Sequence, residues 1–131
     1  MKLEKEKQGI AVRVWIEHIG NDLCVIVTGG TTPHIGSVSM STPRMSLDHT
    51  EKISSTTSTY NFLGHKDDII SNLFSSSLSA AFDENVVVLC GIHIDNIDMN
   101  SINLIQSLSQ ELLEDSIQAL SKEKETFIFK H

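Results

Sequence analysis

Three short stretches of this sequence concentrate side chains able to bind an anion or carry a proton. The first is Gly64-His65-Lys66-Asp67-Asp68, between a Ser/Thr-rich strand pattern (Ile53 to Leu63) and a helical pattern (Ile69 to Phe82). A strand-to-helix junction leaves the first backbone N–H groups of the helix unpaired, and the helix dipole adds partial positive charge there. Phosphate binds readily at such places. Lys66 adds a donor and His65 an acid or base. The second stretch is Gly29-Gly30-Thr31-Thr32-Pro33-His34, running on to Thr42-Pro43-Arg44. The third is Gly91-Ile92-His93-Ile94-Asp95. Together they are expected to form one small-molecule site. Asp67 and Asp68 also read as helix-capping carboxylates, and His93 also reads as a core histidine of a strand.

Composition narrows the chemistry. The 131 residues carry 10 Lys and Arg against 17 Asp and Glu, a net charge of −7. This acidic balance argues against nucleic acid, whose phosphates need a basic face. With six of the ten cations near the termini (Lys2, Lys5, Lys7, Lys122, Lys124 and Lys130), only Arg13, Arg44, Lys52 and Lys66 remain for the body. Two of those four fall in or beside the clusters. No apolar run approaches the ~18 residues that span a bilayer, so no membrane partner is expected. The charged N-terminus lacks a signal-peptide core, which points to the cytoplasm. Cys24 and Cys90 lie in apolar strand patterns as reduced core residues. Neither a Walker nor a dinucleotide glycine motif is present, and no nucleophile–base spacing stands out.

The elements that must position these residues follow from periodicity. Residues 1–8 read as a loose polar leader and 9–131 as a single domain. Ile10 to Glu17 alternates as a strand, Gly20-Asn21-Asp22 is a turn, and Leu23 to Thr28 is a second strand, apolar on both sides. Ile35 to Thr42 and Ile53 to Leu63 are strands three and four. Their short hydroxyls (Ser37, Ser39, Ser41; Ser55, Thr57, Thr59, Asn61) form either a solvated sheet face or a ligand platform. The helix after the junction packs Ile70, Leu73, Phe74, Ser77, Leu78, Ala81 and Phe82 on the sheet. Val86 to Ile94 is a central strand in which Gly91 admits a close neighbour. Ser101 to Ser121 is a second helix, and Thr126 to His131 a short edge strand or docking tail. The order β-β-β-β-α-β-α is an α+β fold: an antiparallel meander of about five strands with two helices on one face.

Four motifs in this order carry a family resemblance: Gly-Gly-x-x-Pro-His-Ile-Gly (Gly29 to Gly36), Thr-Pro-Arg (Thr42 to Arg44), Gly-His-Lys-Asp-Asp (Gly64 to Asp68) and Gly-Ile-His-Ile-Asp (Gly91 to Asp95). The chain resembles the prenylated-flavin chaperone family, to which the small D-type subunit associated with gallate decarboxylase belongs. The resemblance covers Gly29 to Asn96 well and the flanks by pattern only. It implies a fold like that of proteasome assembly chaperones. It also implies a non-catalytic protein that takes prenylated FMN from the flavin prenyltransferase and delivers it to a prenylated-FMN-dependent aromatic acid decarboxylase. The cofactor-binding residues would be Gly29, Gly30, His34, Arg44, His65, Lys66, Asp67, His93 and Asp95, with Arg44 and Lys66 on the phosphate. Two other readings stay open. One is an enzyme whose His/Asp cluster binds a divalent metal; the other is a purely structural decarboxylase subunit. The Phe127/Phe129 segment and an open sheet edge suggest a homo-oligomer.

Overall fold

The computed structural model describes residues 1–48, 52–62 and 67–130, and the side chains of all of these except 127–130. The elements are β1 (Lys2–Lys7), β2 (Ile10–Ile19), β3 (Asp22–Gly30), β4 (Ser37–Met45), β5 (Ile53–Asn61), α1 (Asp67–Phe82), β6 (Val86–His93) and α2 (Met99–Lys130). They build one six-stranded sheet in the order β1-β2-β3-β6-β4-β5. The α+β class holds, with a mostly antiparallel sheet. The simple meander does not: β6 enters between β3 and β4 and runs parallel to β3. Its core-facing residues are Val86, Val88 and Cys90, all buried, which suits the middle of the sheet.

Two terminal expectations are corrected. The polar leader is an edge strand, tied to β2 by a two-residue turn at Gln8 (φ 52°) and Gly9 (φ 79°). Its charges are partnered across the sheet and to α2. Lys5 Nζ lies 3.2 Å from Asp115, Lys7 Nζ lies 3.1 Å from Glu111, and Arg13 Nε lies 3.4 Å from Glu4. A lysine-rich edge also discourages strand addition. At the other end, the described residues 126–130 of the expected strand or tail form no strand. Instead α2 runs on to Lys130.

Both helices lie on one face of the sheet, α2 over β1 and β2, α1 over β4, β5 and β6. Beneath them Ile16, Val25, Val88 and Ser39 stand in one cross-strand row, and Val14, Val27, Cys90 and Ser37 in the next. The rows change from aliphatic to hydroxyl at β4, and α1 changes with them. Phe74 and Leu78 are wholly buried on its core side, together with Ser71, Ser75 and Ser79. The hydroxyls of Ser37, Ser39 and Ser41 are therefore neither solvated nor free for a ligand. Ser71 Oγ lies 2.8 Å from Ser37 Oγ and accepts from Ser39 Oγ at 2.7 Å, while Ser39 also reaches Asn72 Oδ1 at 2.6 Å. Small paired hydroxyls let α1 approach the sheet closely without stranding a buried polar atom. Ser71→Ala should consequently cost about 1–3 kcal/mol in urea denaturation, because it removes the hydroxyl that pairs with buried Ser37.

Among the described residues, no helix covers the opposite sheet face. Trp15, Ile26, Met40 and Tyr60 are exposed there. Cys90 is wholly buried, and burial pushes its thiol far above the ordinary range, so it serves as a small core residue.

Candidate functional site

The parallel pairing of β3 with β6 sets Gly30 opposite His93, so both strands end at the same edge of the molecule. The start of α1 lies there as well. To reach β4 from β3, the chain must cross the end of β6, and residues 31–36 make that crossing. Thr31 N–H donates to the His93 carbonyl at 2.8 Å, and Gly36 N–H donates to the Cys90 carbonyl at 2.9 Å. The crossing rides directly over Gly91, where any Cβ would collide with the His34 carbonyl. Gly30 takes a φ of 75°, and a Cβ there would collide with the His93 carbonyl, so the position is closed to other residues. Both glycines thus serve the chain's own crossing. Gly29 abuts the backbone of Ala11 on β2 and stands outside the cluster.

The crossing brings two carboxylate–imidazole pairs together. Asp67, the first residue of α1, is 5% exposed. Its Oδ1 accepts from Ile92 N–H at 3.0 Å, and its Oδ2 lies 3.3 Å from His34 Nε2. The other ring nitrogen of His34 faces the Thr32 carbonyl at 3.4 Å. The second pair is exposed, with His93 Nε2 3.0 Å from Asp95 Oδ1. The two imidazoles meet edge to face, their centroids 6.1 Å apart. Burial drives the Asp67 carboxyl above the usual carboxylate range and Asp68 adds to it, while the Ile92 N–H and His34 pull it back. So Asp67 does more than cap its own helix: it bonds the end of β6 and the crossing loop.

Arg44 does not join this group within the chain. It pairs with Ser54 toward the far end of the β4–β5 ladder, seven residues beyond Ser37. At ~3.3 Å per residue that separation is roughly 23 Å. Its guanidinium donates to Thr56 Oγ1 at 2.9 Å and to the Met45 carbonyl at 3.1 Å. His65 and Lys66 lie outside the described residues. Of the nine residues expected at the site, the structure therefore gathers Gly30, His34, Asp67, His93 and Asp95. The described start of α1 also carries two carboxylates, Asp67 and Asp68, which occupy the favourable end of the helix dipole themselves.

The cluster borders an apolar recess of about 230 Å3, shared by the N-terminal turns of α1 and α2 and the end of β6. Asp67 and Ile92 line it together with Ile69, Ile70, Ile97, Met99, Ile102, Ile105 and Gln106. Sequence reading missed it because its walls come from segments up to about forty residues apart. The Ile-Ile pair at Ile69-Ile70 and the apolar Ile97 and Met99 inside a polar turn were the available signals. A larger cleft, about 580 Å3, lies at the opposite end between the β2–β3 turn and the ends of the helices. It is bordered by ion pairs (His18 with Glu123, Lys124 with Glu84) and by none of the expected site residues. Among the described residues, no three His, Cys, Asp or Glu side chains come together as a metal-binding set. Among them, too, no helix is long and apolar enough to cross a membrane.

The fold is similar to a solved structure described as a novel chaperone complex for yeast 20S proteasome assembly, with a TM-score of 0.51, 12% identity and 94% of each chain covered. That likeness is one of fold alone. Protein LpdD of Lactiplantibacillus plantarum is 29% identical over 107 residues, covering 82% of this chain and 75% of the relative. Residues 6–121 match the family model described as the prenylated flavin chaperone LpdD-like domain. With most of its length inside that match, the chain belongs to the prenylated-flavin chaperone LpdD-like family.

Proposed function

We propose that this chain is a non-catalytic carrier of prenylated FMN. It takes the cofactor from the flavin prenyltransferase and hands it to a prenylated-FMN-dependent aromatic acid decarboxylase, in the cytoplasm. Family membership supports the ligand class. The observation that carries the location is the pairing of buried Asp67 with the exposed His34, set beside His93–Asp95 at the shared end of β3 and β6.

The residues present fit the ring end of such a ligand. A flavin ring edge alternates N–H donors with carbonyl acceptors. Asp67 holds a carboxylate in place through the Ile92 N–H and would accept from a ring N–H. His93, whose Nε2 faces Asp95, would donate to a ring carbonyl from its other ring nitrogen, while His34, with its two nitrogens on Asp67 and the Thr32 carbonyl, would hold the carboxylate in place. The prenylated flavin supplies its covalent chemistry on the decarboxylase. Here the side chains bind it, orient it and keep its polar edge paired. The grip is thus assigned to the ring, rather than to a phosphate held jointly by Arg44 and the Gly64–Lys66 corner of one chain. Arg44→Ala should accordingly leave prenylated-FMN affinity within about twofold of wild type, since roughly 23 Å of strand separates it from the cluster. The self-association suggested by the sequence would use the sheet face that carries Trp15, Met40 and Tyr60.

Transfer kinetics test the carrier role. Loaded protein is mixed anaerobically with decarboxylase apoenzyme, and both species are followed by native mass spectrometry. Direct hand-off predicts a transfer rate that climbs with apoenzyme concentration beyond the rate of spontaneous cofactor release. A rate fixed at the release rate would contradict delivery.

A further inference from the structure

The geometry points to the recess beside Asp67 as the subsite for the isoprenoid-derived ring of the cofactor, and so as the feature that distinguishes prenylated FMN from FMN. This inference rests on the carrier reading above. Its first support is size. At about 230 Å3 the recess falls below the ~300–1,000 Å3 of sites that enclose a drug-sized ligand, so it suits a part of a flavin rather than the whole. A five-carbon unit is such a part. The second support is polarity. Asp67 borders both the imidazole cluster and the recess, so a ligand whose polar ring edge is fused to an aliphatic ring spans the two without burying a polar atom against isoleucine.

The third support is the rim. Ile69 is 57% exposed, Ile97 41% and Met99 70%. Large aliphatic side chains held in water around an apolar hollow indicate a surface awaiting a cover. An unbranched methionine at the lip can adjust to what enters. Plain FMN lacks the extra ring and would leave the hollow unfilled, forgoing that burial.

Two variants read this out by affinity. Ile102→Trp fills the recess from α2. Ile69→Gln makes its rim polar at an exposed helical position, where folding is not at stake. Each is titrated anaerobically with reduced prenylated FMN and with reduced FMN. The subsite predicts that prenylated FMN weakens about tenfold while FMN changes less than about twofold, so the selectivity collapses. Should folded Ile69→Gln keep wild-type preference for prenylated FMN, the subsite assignment is overturned while the carrier reading stands. Equal weakening of both ligands would overturn it as well. A wild-type chain that binds no prenylated FMN would overturn the carrier reading and the subsite together.

Discussion

Asp67→Asn should raise the melting temperature at pH 7.5 and, in the same protein, weaken prenylated-FMN binding. Both effects come from one buried carboxylate. Its pKa is raised in the folded state, chiefly by burial. Below its unfolded-state pKa the group is protonated in both states, and its contribution to stability is complete. As pH rises through the higher folded value, charge must be held in a desolvated place, and that contribution is lost. The asparagine side chain would keep an oxygen for the Ile92 N–H without the charge. His34 and Asp68 face the same carboxylate, and His34 loses an ionic partner in the variant, which trims the gain. The difference in melting temperature between variant and wild type should therefore be small near pH 4 and grow toward neutrality. Binding should move the other way. A lost charge-assisted hydrogen bond weakens affinity by ~1.5–3 kcal/mol, roughly 10- to 100-fold. Melting curves from pH 4 to 8 beside a ligand titration check both halves. A variant less stable at every pH would mean that Asp67 is a structural anchor only.

Phe74→Ala should lower stability more than Ser71→Ala, Leu73→Ala or any of the site variants, by about 3–5 kcal/mol. Phe74 is wholly buried in the core shared by both helices and the sheet, between a hydroxyl-paired side of α1 and the aliphatic rows of β3 and β6. Domains of this size hold ~5–15 kcal/mol in total, so the loss is roughly a fifth or more of the whole. Leu73, adjacent in sequence, is only partly buried against the same core, and Leu73→Ala should cost about 1–2 kcal/mol. Urea midpoints at constant m-value would measure both. Equal losses at the two positions would place the buried face of α1 one residue from where the structure sets it.

The alternating strands and the first helix were legible because local periodicity encodes them. Val12, Val14 and Ile16 turn inward as their spacing predicts. The glycine at position 91 announced a close approach, and what approaches is the His34 carbonyl. Two things were hidden by their non-local character. The apolar run at Val86 identifies a central strand but not its neighbours. Its parallel partner β3 lies some sixty residues earlier, and only that pairing brings His93 beside His34. Charge misleads at two places in the chain. Lys-Leu-Glu-Lys-Glu-Lys at the N-terminus has the composition of a solvated tail, yet each second residue meets an acid of α2 or the aliphatic margin of the core. Scarcity of cations groups Arg44 with the clusters, whereas a nine-residue strand sets its two ends more than 20 Å apart. The hydroxyl rows of β4 and β5 look like a platform because sequence does not say which face receives a helix. Ser71 and Asn72 show that this one does.

Whether this chain grips a prenylated flavin by its ring end, at the His34–Asp67–His93 cluster, is tested most directly by an anaerobic titration. Wild type, Asp67→Asn and Arg44→Ala are each titrated with reduced prenylated FMN and followed by absorbance and native mass spectrometry. A grip on the ring predicts one flavin per chain for wild type, an unchanged affinity for Arg44→Ala, and a loss of about tenfold or more for Asp67→Asn. Strong binding that survives in Asp67→Asn but is abolished in Arg44→Ala would contradict it.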